Sequence, residues 1–222
     1  MIPDLSPIFS QYEQLRSEAD NIFARMSRDF PDCVTCTKGC SDCCHALFDL
    51  SLVEAMYINR AFKTAYDYGA ARSEILTRAA ETDRKLTKLK RDLFRLEKDG
   101  TSQDEIMEKA GRLRMPCPLL SSDNDCLLYD ARPITCRLYG IPTVIGSHGH
   151  VCGFSKFALG TAYPTVHLDK IQARLEALSG EIAKTVQSRF TELDQVYVPL
   201  SMALLTDYSE EYLGIGPARE RP

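Results

Sequence analysis

Apolar side chains recur at three- and four-residue steps over positions 5–26, through Leu5, Ile8, Phe9, Tyr12, Leu15, Ala19, Ile22, Phe23 and Met26. That period predicts an amphipathic helix with one face toward a core. Ser6 and Pro7 suit its cap and first turn, and Phe30-Pro31 should end it, because the residue before proline is pushed out of the helical region. The pattern lapses over positions 33–45, where Gly39, Ser41 and Asp42 favour tight turns. Ser51-Leu-Val-Glu54 has capping-box spacing and opens a second helix running toward Gly69. Ile75, Leu76, Ala79, Leu86, Leu89, Leu93 and Leu96 then keep helical spacing, with Arg and Lys over the remainder, which predicts a long helix from about Ala70 to Lys98 that stops at Gly100.

A second capping box, Ser102-Gln-Asp-Glu105, starts a short helix through about Leu113, and Met115-Pro116-Cys117-Pro118 breaks the pattern again. Positions 117–164 show no sustained period, so irregular loops with at most short strands are expected. Helical spacing returns in Leu168, Ile171, Leu175, Leu178, Ile182, Val186 and Phe190, and the apolar stretch 199–205 predicts a last helix. The pattern as a whole predicts a mainly α protein, one helical domain over 1–222. Helices at 5–30, 51–113 and 166–207 scaffold two irregular cysteine-rich segments, 33–45 and 115–155.

Composition narrows what such a scaffold serves. A chain of 222 residues with 44% hydrophobic residues can bury a real core. Its 27 basic and 31 acidic side chains leave a net charge of −4, which gives no global field for nucleic acid or an anionic membrane. Nucleic acid is not an expected partner. No apolar run approaches a membrane span and positions 1–7 lack a basic leader, so no membrane association and a cytoplasmic location are expected. Nine cysteines in a reducing compartment do not make a disulfide framework, and an odd number would leave one unpaired in an oxidising one. Metal binding is the better account.

Two thiolates separated by two residues can turn back on one ion. Cys33/Cys36 and Cys40/Cys43 both have that spacing. Cys44 adjoins Cys43, and neighbouring side chains project in different directions, so one of them can serve a second centre. Cys117, Cys126, Cys136 and Cys152 are the remote candidates; nine thiols suffice for two four-ligand sites with one left over. A single polynuclear site with several structural cysteines uses the same residues differently. His45, His148, His150 and His167 are weaker ligand candidates, better read as surface or hydrogen-bonding groups. Arg132 and Arg137 flank Cys136 and either offset thiolate charge or fix the loop.

All-thiolate ligation suits zinc and iron–sulfur clusters alike, but a zinc knuckle leaves several of these thiols unexplained. Dense runs completed by distant cysteines resemble cluster-binding loops, which favours iron–sulfur, of the 4Fe-4S type and one or two in number, with zinc as the alternative. Three functions follow. The first is redox or electron transfer, as an iron–sulfur oxidoreductase or a carrier with a redox or protein partner. The second is a zinc-binding structural or interaction module, with the basic face of the 70–98 helix as a candidate surface. The third and weakest is a metal-dependent methyltransferase-like enzyme, open near His148 or His150. No catalytic residue is assigned.

Cys36-Thr-Lys-Gly-Cys40-Ser-Asp-Cys43-Cys44, then Cys117-Pro-Leu-Leu120, then Cys126-Leu-Leu-Tyr129 through Arg132-Pro133-Ile-Thr-Cys136-Arg137-Leu-Tyr139 occur in this order. Together they resemble the YkgJ-like cysteine-cluster family, also called the CxxCxxCC zinc- or iron-chelating family. The resemblance implies that Cys40, Cys43, Cys44, Cys117, Cys126 and Cys136 correspond to that family's metal ligands, and it supplies no reaction. Here the step from Cys36 to Cys40 is one residue longer than usual, which leaves Cys33 and Cys36 as alternatives for the first position. Flagellin lysine N-methylases look similar in the cysteine motif but are longer, and no glycine-rich nucleotide loop is present here.

Overall fold

The structure is a computed structural model, and it describes residues 1–216 apart from 103, 104, 107, 108, 110, 112 and 159. Helix α1 spans Ser6–Asp29 and buries Ile8, Phe9, Tyr12, Leu15, Ala19 and Met26, the stripe expected from the apolar period. Its cap differs from the expected one. Ser6 is already helical, and Asp4 accepts the Ser6 N–H at 2.9 Å, satisfying one of the donors a helix start leaves orphaned. Helix α2, Leu52–Ala65, is the central element, with Leu52, Val53, Ala55, Ile58 and Phe62 at most 1% exposed. It ends at Tyr66, short of Gly69, which instead caps α3 (Ala70–Lys98) at φ 96°.

The Ser51–Glu54 box is half formed. The Glu54 carboxylate reaches back to the Ser51 backbone N–H and hydroxyl, but the Ser51 hydroxyl receives no helix N–H. Ser179 takes that role from another helix, accepting the Val53 N–H at 3.3 Å while donating to Leu175 O at 2.8 Å. At the second box, Glu105 N–H donates to Ser102 Oγ at 3.3 Å, as expected; the body of the helix expected through Leu113 lies largely outside the described residues.

The 117–164 region holds more order than its lack of period implies. A five-residue helix, α4 (Ile134–Leu138), carries Cys136, and a small sheet follows. In that sheet β2 (Thr143–Ile145) pairs antiparallel with β3 (His148–His150) and parallel with β4 (Val166–His167). Helix α5, Leu168–Thr185, stops five residues before Phe190, where Gln187 turns the chain at φ 52°. Strand β1 (Asp49–Ser51) pairs antiparallel with β5 (Tyr197–Pro199), joining the starts of α2 and α6 (Leu200–Leu205).

The architecture is thus mainly α, six helices among the described residues, around one contiguous apolar core. Asn59 of α2 is 4% exposed and closes the far end of α6, donating to Ala203 O at 2.8 Å and Thr206 O at 3.0 Å. Among the described residues no helix is long and apolar enough to cross a membrane. The cysteine segments drape over one side of this core, from the end of α1 to β1 and from residue 114 to beyond β3.

Candidate metal centre

After α1 the chain reverses at Phe30, whose carbonyl accepts the Cys33 and Val34 N–H groups at 3.0 and 3.2 Å. A turn closed by Cys40 N–H on Thr37 O leads into a 3₁₀ turn, Asp42–His45, that presents Cys43 and Cys44. The second cysteine segment runs alongside: Met115 N–H donates to His45 O at 3.0 Å and Cys117 N–H to Cys44 O at 2.7 Å. A tight hairpin, bonded between Leu127 N–H and Leu119 O and between Ser121 N–H and Asp125 O, then brings Cys126 back beside Cys117. Lys156 N–H to Cys33 O (2.9 Å) and Thr35 Oγ1 to Phe154 O (2.9 Å) dock the Cys152 segment on the first loop.

These segments enclose a cavity of about 1870 Å3 lined by Cys36, Cys40, Cys43, Cys44, Cys117, Cys126, Cys136 and Cys152. Cys33 is elsewhere, half-buried against the apolar core. His148 and His150 reach the cavity from β3; His45 turns away to bond Ser41 O at 3.0 Å, and His167 is not on the wall. Among the described residues no three Cys, His, Asp or Glu side chains converge tightly enough to hold one ion, so the thiols form a lined pocket and not a closed coordination sphere. All nine cysteines are free thiols.

The electrostatics of this pocket ask for a cation. Burial pushes Cys117 up to about 12 and Cys36 up to about 11, and charge on neighbouring thiols pushes them the same way. Cys136 lies well above the ordinary thiol range, first from burial and then from Cys43, Cys117 and Cys126. Cys43 is the exception: a hydrogen bond from the Cys44 thiol, the larger cause, and the nearby Arg132 lower it to about 7, while Cys44 is raised. At three sulfurs a backbone hydrogen bond favours the anion without overcoming burial. Backbone N–H groups two residues on donate to Cys117 and Cys152 at 3.4 Å, and Leu128 does the same for Cys126. A metal ion would supply the positive charge that turns these desolvated, mutually repelling thiols into thiolates. A donor set of eight soft sulfurs fits zinc or an iron–sulfur cluster.

Geometry separates the two arginines that flank Cys136. Arg137 is 7% exposed and donates twice to Asp20 of α1, at 2.8 and 2.6 Å, and to Arg132 O at 2.9 Å, so it fixes the loop. Arg132 stacks over the Tyr129 ring, 3.6 Å from its centroid, and its charge lowers Cys36, Cys43, Cys126 and Cys136. Beneath α4, the buried Glu54 accepts the Ile134 N–H at 3.0 Å and the Tyr12 hydroxyl at 3.3 Å, anchoring the Cys136 helix to α1 and α2. Sequence reasoning missed this anchor, and it missed Asp42, Arg114 and Tyr139, which bond one another beside the thiols. The sequence signal was slight: each lies within three residues of a cysteine, and Asp42 and Tyr139 fall inside the cysteine-motif blocks.

Comparison with known proteins agrees with the geometry. No curated protein and no solved structure matches the chain. The family model CxxCxxCC, described as "Putative zinc- or iron-chelating domain", matches residues 35–153, just over half of the chain. That span contains all eight cavity cysteines and leaves out Cys33. The span the family model matches is the one that lines the pocket with thiols, and this chain belongs to the CxxCxxCC family of zinc- or iron-chelating domains.

Proposed function

We propose that this protein carries an iron–sulfur cluster of the 4Fe-4S type and serves in electron transfer with a redox protein partner. The observation that carries the reading is that the compact run Cys36, Cys40, Cys43 and Cys44 shares one cavity with the distant Cys117, Cys126, Cys136 and Cys152, the pattern of a cluster-binding loop completed by remote cysteines. Four of Cys36, Cys43, Cys44, Cys117, Cys126 and Cys136 would hold the cluster, since charge on Cys43 is felt by each of the other five. The cluster supplies a one-electron couple when bound. The chain's own residues set its surroundings: backbone N–H groups from Leu119 and Leu128 point at ligand sulfurs, and Arg132 adds a positive charge. Each of these favours the more reduced state. The other cavity cysteines, Cys40 and Cys152 among them, remain for a second centre. Nine free thiols suit a reducing cytoplasm.

Anaerobic purification followed by a visible spectrum and iron, sulfide and zinc analysis per chain tests this. A brown protein with matched iron and sulfide, bleached by dithionite, is expected. A colourless protein with stoichiometric zinc would replace the redox reading with a structural module.

A further inference from the structure

One acidic side chain ties the first cysteine segment to the stretches that carry Cys117, Cys136 and Cys152. Asp42 lies between Cys40 and Cys43. Its Oδ2 accepts the Tyr139 hydroxyl at 2.9 Å and the Cys152 thiol at 3.3 Å. Its Oδ1 forms an ion pair with Arg114, which also donates to the Asp42 carbonyl at 2.7 Å and to Tyr139 Oη at 3.2 Å. Arg114 stands three residues before Cys117, and Tyr139 three after Cys136. The Asp42 side chain is 15% exposed, so these charge-assisted bonds are sheltered on the carboxylate side. With both oxygens occupied, Asp42 is a poor metal ligand and a good organiser of ligands.

Two of these segments, those of Cys44 and Cys117, are also joined through the backbone. Ala46 bridges antiparallel to Arg114, and the Met115 and Cys117 N–H groups donate to His45 O and Cys44 O. The bonds among Asp42, Arg114 and Tyr139 use neither a thiol nor a metal. We propose that Asp42, Arg114 and Tyr139 are positioning residues, a brace of protein alone that assembles the cysteine segments, so that metal enters a pocket already formed. The brace itself is independent of which metal binds, and only the statement about metal entry rests on the metal-binding reading.

Hydrogen exchange by mass spectrometry on the full chain, reduced and stripped with a chelator, tests the proposal. The metal-free wild type should protect the Met115 and Cys117 amides. Asp42→Asn should exchange them at least about tenfold faster while α2 stays protected. Zinc alone should then restore protection in the variant. Tyr139→Phe keeps the ion pair, removes the two hydrogen bonds of the Tyr139 hydroxyl and should lie between, which keeps the comparison usable where Asp42→Asn does not fold. Wild-type amides that exchange freely without metal, or protection unchanged in Asp42→Asn and Tyr139→Phe, would overturn the brace. A chain that binds neither zinc nor iron yet keeps the protection pattern would sink the metal reading and leave the brace standing.

Discussion

Replacing Glu54 probes how the helical scaffold holds the Cys136 segment. The side chain is 4% exposed and receives the Ile134 N–H at 3.0 Å, the Tyr12 hydroxyl at 3.3 Å and the Ser51 hydroxyl at 3.4 Å. Truncation to Ala strands the Ile134 N–H and the Tyr12 hydroxyl, whose residue is 1% exposed. Each buried donor left unpaired costs roughly 1–3 kcal/mol, and relief of the carboxyl's own burial offsets part of the sum. The net loss expected for Glu54→Ala is about 3 kcal/mol; for Glu54→Gln, whose carbonyl still accepts from Ile134, it is about 1 kcal/mol. Urea unfolding of the reduced protein at fixed metal content measures both. The pH dependence adds a second signature. Burial raises the Glu54 pKa above its ordinary 4.5, so above that pH the folded chain keeps a proton that the unfolded chain releases. Wild-type stability therefore falls as pH rises from 4.5 toward the folded pKa, and this contribution is absent in Glu54→Gln. An Ala variant within about 0.5 kcal/mol of wild type, or a Gln variant with an unchanged pH slope, would refute the argument.

Three further outcomes follow from the same geometry. Gly140→Ala should lose about 2 kcal/mol in a thermal melt and alter Cys36 labelling by thiol reagents, because φ is 105° there and an added Cβ would sit 2.5 Å from Cys36 Sγ. Ser179→Ala should cost about 1–2 kcal/mol in urea unfolding, since Val53 N–H loses its acceptor at the start of α2. Cys43→Ser should lower bound metal per chain and the melting temperature; unchanged values for both would count against Cys43 as a ligand.

The long helices were legible because a period near 3.6 is written into many residues at once: Leu5 through Met26, Ile75 through Leu96, and Leu168 through Ile182 each repeat the signal over several turns. Elements of three to five residues carry too few repeats to register. The β1–β5 pair and α4 are set by distant partners, Tyr197–Pro199 for one and Glu54 for the other. At the site, spacing paired Cys33 with Cys36, but Cys36 lines the cavity and Cys33 packs against the apolar core. That outcome depends on the turn at Phe30 and on Lys156 N–H capturing the Cys33 carbonyl. The division of labour between Arg132 and Arg137 was equally hidden, because Arg132 lies in the turn before α4 with its charge near the thiols, while α4 carries Arg137 toward Asp20.

Asp42 and Cys152, in contact at 3.3 Å, are 110 residues apart in the chain. At roughly 5–20 residues per second, a ribosome needs about 5–20 s to deliver the second after the first. Through that interval the early thiols have no native neighbours from the later segment. Completion of the pocket therefore waits on the later segment, and a delay in its arrival lengthens the time for which the early sulfurs stand without their partners.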